Sequence, residues 1–160
     1  MVVVIKYEKL GECRYMSHRD VMRNLQRTVR RTGVDVCLSV GFNPHMLTYS
    51  SPPLPLGLES RAEYFAVIVE SGEAEFIENF KRLSHPKMPV VASWIMAKNP
   101  NLAGSVTGAS FECFTTSKHY ENTSQKPKDI QEDFYSLIKT KQFVGEQLVD
   151  EYLDERNSSI

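Results

Sequence analysis

Two histidines and five arginines carry the chemistry most readily read from this chain. His45 closes the stretch Gly41-Phe42-Asn43-Pro44-His45, which is followed by Pro52-Pro53-Leu54-Pro55-Leu56-Gly57. The glycines admit positive φ, while each proline fixes φ and removes an N–H donor, so this segment cannot be a helix interior or a central strand. Pro44 pushes Asn43 towards extended geometry, which presents His45 on a stiffened loop of the kind that binding and catalysis use. Phe42, Asn43, Pro44 and His45 form a candidate binding loop, joined by Glu59 if the proline-rich arm folds back. His18, at the start of a helical segment, is the second candidate acid or base. An RNA-processing enzyme would need both imidazoles within reach of one substrate. The plainer alternative makes His45 a solvated turn residue and His18 a packing residue.

The arginines are more regular. Arg19, Arg23, Arg27, Arg30 and Arg31 fall on one side of a helical wheel, and Val21, Met22, Leu25 and Val29 fall on another. Guanidinium groups fork onto phosphate oxygens and stack on bases, so such a stripe suits RNA. A solvated face paired with neighbouring carboxylates is the competing explanation.

These side chains need elements to hold them. Ser17 and Asp20 stand in the N-cap and N3 relation, and no Gly or Pro interrupts until Gly33, which predicts a helix between them. Val2 to Lys9 predicts a strand, Cys13 to Met16 a resumed extended segment, Val34 to Val40 a second strand and Met46 to Ser50 a short third. Tyr64 to Val69 is the strongest strand signal. Glu73 to Leu83 predicts a second helix stopped by His85-Pro86, and Val90 to Met96 a further strand with Trp94 as a core anchor. This order predicts an α+β fold, a ferredoxin-like two-layer α/β sandwich over residues 1–98 with both helices on one face of an antiparallel sheet.

Lys98 to Gly108 reads as a linker. Ser110 to Thr116 then predicts a strand, His119 to Lys126 a loop, and Lys128 to Lys141 a helix burying Ile130, Phe134, Leu137 and Ile138. A last helix is expected through Val144, Leu148, Val149 and Tyr152, with fraying from Asn157 onwards. Residues 109–160 are thus expected as a βαα extension, packed on the first unit or forming part of a second.

Composition narrows the partners. The chain has 160 residues and a net charge of −1, but residues 1–62 hold nine Lys and Arg against five Asp and Glu, whereas the remainder holds ten against fifteen. A basic first part favours an anionic partner. Cys13, Cys37 and Cys113 are odd in number and widely spaced, which argues against disulfides and against zinc or iron–sulfur ligation. They are expected as small core fillers, and no metal or cofactor is expected. Without a long apolar run or a cleavable leader, the expected location is the cytoplasm.

Tyr15 to Arg23, Arg30-Arg31, Gly41 to His45 and Pro53 to Tyr64 together resemble the radical SAM-linked proteins, a bacterial family encoded beside, or fused to, B12-binding-type radical SAM enzymes. The match runs across residues 3–70. It departs at Arg19, where Leu is expected, and at Met46-Leu47, where Pro and a basic residue are common. The resemblance implies a radical SAM enzyme as partner, and the family's frequent placement beside ribosomal-protein and ribonuclease genes implies RNA. It assigns no catalytic residue. The leading expectation is therefore a non-catalytic RNA-binding or substrate-presenting accessory protein. The alternatives are an RNA-processing enzyme using His45 and His18, and a docking module whose apolar patch combines Phe42, Met46, Leu47 and the Pro-Leu-Pro-Leu run.

Overall fold

The computed structural model describes residues 1–115, 119–123 and 134–157. Strand β1 (Val2–Lys9) leads through a 3-10 turn (Gly11–Tyr15) into helix α1 (His18–Arg31). Strands β2 (Thr48–Ser50) and β3 (Glu59–Ile68), helix α2 (Glu73–Leu83) and strand β4 (Val90–Met96) follow. β1 pairs antiparallel with both β3 and β4, and β2 pairs antiparallel with β3. The spatial order is therefore β4-β1-β3-β2, with each crossover helix joining parallel strands that have an antiparallel strand between them.

α1 and α2 lie on the same face of this sheet. Val3, Ile5, Tyr7, Phe65 and Val67 meet Val21, Leu25 and Val29 of α1 and Phe76 and Phe80 of α2 in one apolar cluster. Phe80 stacks on Phe65 with ring centroids 6.1 Å apart. The α+β class read from the sequence is thus present. The local signals for α1 hold as well: Ser17 Oγ accepts from the Asp20 N–H at 3.2 Å, and Gly33 follows the helix with φ of 75°.

Several expectations need correction. Cys13 to Tyr15 belongs to the 3-10 turn and not to an extended segment. Val34 to Val40 is no regular strand, because only isolated bridges join Val36 to Val69 and Leu38 to Met46. The expected linker contains a four-residue helical turn, α3 (Leu102–Ser105), that buries Leu102 completely.

The largest departure lies at the C-terminal end. The expected strand over Ser110 to Thr116 is present as β5 (Gly108–Thr115), but the expected loop and first helix of the extension are instead β6 (His119–Thr123), β7 (Phe134–Val144) and β8 (Gln147–Leu148), and the last helix, α4 (Val149–Asn157), takes in Val149 and Tyr152 but not Val144 or Leu148. β7 pairs antiparallel with β5 and parallel with the start of β3, matching Glu59 to Ile138 and Ser60 to Lys139. The order β4-β1-β3-β7-β5-β6 therefore continues one sheet. The aromatic and branched residues of β7 fit a helical or an extended period, and pairing on both sides favours the strand. Of the expected helix, residues 128–133 including Ile130 lie outside the described residues, as do 124–126 of the expected loop and the fraying residues 158–160.

α4 covers the sheet face opposite α1 and α2. Val2, Val4, Tyr64, Ala66, Trp94 and Met96 meet Leu102, Val149 and Leu153 in a second apolar cluster. Trp94 is a core anchor whose Nε1–H donates to Asp154 at 2.7 Å. The two-layer sandwich is consequently three layers deep where α3 and α4 pack.

Candidate nucleic-acid interface

α1 positions the arginines by burying the opposite side. Val21, Leu25, Thr28 and Val29 are buried, and the five arginines project outward across an arc of about 120° at 3.6 residues per turn. Arg19, Arg23, Arg27, Arg30 and Arg31 are all exposed. Among the described residues, their one ion pair is Arg23 to Asp20, at 3.7 Å within the helix. With one carboxylate against five guanidinium groups, α1 carries a formal charge of +4. Intrahelical pairing therefore leaves most of the face available to an external anion.

His45 lies in an exposed hairpin. Its N–H donates to Ser39 Oγ at 3.0 Å, its Nδ1 lies 2.8 Å from the same oxygen, and the Ser39 N–H donates to its carbonyl. The hairpin is rooted where Cys37 donates to Ile68 and Ile68 donates to Leu47. Glu59 sits at the other end of β3, about 30 Å away at 3.3 Å per residue, and accepts from the Gly11 N–H at 2.7 Å. His45, two residues from Leu47, cannot bridge that span, so the proline-rich arm does not bring Glu59 beside it. His18 heads α1, whereas the strand that leaves the hairpin runs beside the middle of that helix, where Gln26, about 12 Å further along the axis, donates to Thr48 Oγ1 at 3.1 Å. No hydrogen bond joins the two imidazoles among the described residues.

The apolar residues expected to form one patch are dispersed. Phe42 and Leu56 are exposed, but Met46 and Leu54 are buried and Leu47 is half-buried. The projecting hydrophobic tip instead combines Phe42 with Val40 and Leu38, both within the expected second strand.

A buried charged cluster went unnoticed in the sequence. Lys139 pairs with Glu63, both side chains being 6% exposed, and Lys9 donates to the Met16 carbonyl at 2.9 Å. Burial pulls the Lys9 ammonium below its ordinary pKa, against the opposing attraction of Glu63. Burial, reinforced by Glu63, pushes the Tyr7 hydroxyl well up. The available signal was strand phase: Lys9 follows Val3, Ile5 and Tyr7 onto the core face, and Glu63 precedes Phe65 and Val67 on it.

The profile of a family described as "Uncharacterized protein conserved in bacteria" (DUF2344) matches residues 3–152. The chain belongs to this family. No curated protein matches it. This DUF2344 chain has no helix, among its described residues, long and apolar enough to cross a membrane. Cys13 and Cys37 are free thiols, Cys13 buried as a core filler and Cys37 half-buried.

Proposed function

We propose that this protein is a non-catalytic RNA-binding accessory protein acting in the cytoplasm, in RNA modification or a ribosome-related process. The carrying observation is the outward arginine face of α1, whose five guanidinium groups have one carboxylate partner on the helix. Such a face gives sequence-tolerant affinity through phosphates, while base stacking on guanidinium planes adds selectivity for structured RNA. The separation of His18, His45 and Glu59 favours binding over acid–base cleavage, which needs its groups within hydrogen-bond reach of one substrate.

The accessory role rests on the resemblance to radical SAM-linked proteins and on the exposed hairpin tip. Val40 and Phe42 project from a loop tied down at its base, as an anchor for a protein groove would. A radical SAM enzyme encoded nearby is the proposed partner. The reading is tested by gel-shift titration of structured RNA against the wild-type protein and Arg19→Glu/Arg23→Glu. Binding at low salt that the double variant loses, with its thermal midpoint unchanged, supports the reading; no wild-type binding at low salt ends it.

A further inference from the structure

A polar cleft of about 480 Å³ lies between the C-terminal halves of α1 and α2. Arg27 and Arg31 of α1 line one side, Arg82 of α2 the other, and His85 closes the end after α2. No carboxylate lines it, so its formal charge is +3 with a neutral imidazole. The volume falls within the roughly 300–1,000 Å³ typical of small-molecule clefts.

His85 adds a ring N–H donor to the lining. The Lys87 N–H donates to His85 Nδ1 at 3.1 Å, and the Cys13 thiol sulfur lies 3.6 Å from the same nitrogen. An acceptor role at Nδ1 places the proton of the neutral ring on Nε2. Basic residues in a helix's last turn also complement its dipole, which would account for Arg31 and Arg82 alone. Arg27 stands a full turn earlier and His85 lies beyond α2, so the dipole explains neither.

We infer that this cleft binds a phosphate monoester, held by Arg27, Arg31, Arg82 and the Nε2–H of His85. Three guanidinium groups around one concavity exceed what a singly charged phosphodiester needs, whereas a monoester carries about −1.5 to −2 at neutral pH. Its three terminal oxygens accept the forked donors. The ligand is either a free sugar phosphate or the phosphorylated end of an RNA. Arg27 and Arg31 are shared with the proposed RNA face, but Arg82 and His85 are not, and Arg19 lies outside the cleft.

The test compares ribose 5-phosphate with one oligoribonucleotide prepared bearing a 5′-phosphate or a 5′-hydroxyl, by calorimetric titration of the wild-type protein, Arg82→Ala and Arg19→Ala. Binding of ribose 5-phosphate, weakened roughly tenfold or more by Arg82→Ala and unchanged by Arg19→Ala, supports the site and identifies a free metabolite as sufficient. A preference for the 5′-phosphorylated strand, lost in Arg82→Ala without ribose 5-phosphate binding, supports the site and assigns it to an RNA end. Ribose 5-phosphate binding with neither strand bound would leave the cleft standing and remove the RNA function. Equal affinity for the two strands together with no ribose 5-phosphate binding overturns the inference, as does binding insensitive to Arg82→Ala.

Discussion

Ser17 starts α1 with two hydrogen bonds to a single residue. Its Oγ accepts from the Asp20 N–H, and its hydroxyl donates to the Asp20 carboxylate at 2.6 Å. Ser17→Ala should cost about 1 kcal/mol, read as a lower midpoint in denaturant, because one orphan N–H of the first turn loses its acceptor. Tyrosine ionisation sets a second expectation. Burial first, then Glu63, raises the pKa of Tyr7, while burial first, then Asp150, raises that of Tyr64 above the ordinary 10.0. The unfolded chain releases these protons near pH 10 and the folded chain retains them. Their contribution to stability is therefore complete below pH 10 and is lost as pH climbs above it. Tyr7→Phe should flatten the fall in stability between pH 10 and 11.5 in urea titrations; an unchanged slope would exclude Tyr7 as a source.

At the scale of elements, local signals succeeded where one face and its caps decide structure. α1, α2, β1 and β4 were legible because apolar period, capping residues and breakers agreed within each segment. The His45 hairpin was legible as a stiff loop, but the exposure of Val40 was not. Alternation around Val36, Leu38 and Val40 implies pairing, and the chain leaves the sheet after Cys37. β7 failed differently, since its state is set by β3 and β5, which are distant in sequence. α4 is held by Leu153, fully buried, and by Asp150, which pairs with Lys6 and accepts from Tyr64 at 2.8 Å. Leu153→Ala should cost about 2–5 kcal/mol in denaturant titration. Val40→Ser/Phe42→Ser should instead change stability by no more than about 0.5 kcal/mol while abolishing co-purification with the proposed partner enzyme. Retained co-purification would place docking elsewhere.

For the whole molecule, the sequence's charge asymmetry is the quantity that bears on function. The first 62 residues are +4 and the rest −5, and α1 concentrates the positive part on one exterior face. RNA affinity should fall steeply with salt: three or four phosphate contacts give a log–log slope of about −2 to −4. Arg19→Glu should reduce its magnitude by roughly 1 if that side chain neutralises one phosphate. A flat salt dependence would exclude the arginine face as the main contact. The α+β class of the first part was legible through its local units. Past β3, the strand over Ser110 to Thr116 was legible and is β5, whereas β7 was not, because its pairing with β3 depends on residues some 80 positions earlier in the chain.

The β3–β7 junction also has a consequence for synthesis on the ribosome. β3 leaves the edge beside Glu59 and Ser60 unpaired until residues 138 and 139 arrive, and the face bearing Val2, Val4, Tyr64 and Trp94 stays bare until Leu153 emerges. At about 5–20 residues per second, the roughly 55 residues after Lys98 impose a delay of about 3–11 s. During that interval a nearly finished antiparallel sheet displays both an open edge and an oily surface, which is the combination that recruits chaperones. Nascent chains stalled after residue 98 should therefore be bound by holdases and digested readily, and chains stalled with residue 157 outside the tunnel should be released and protected.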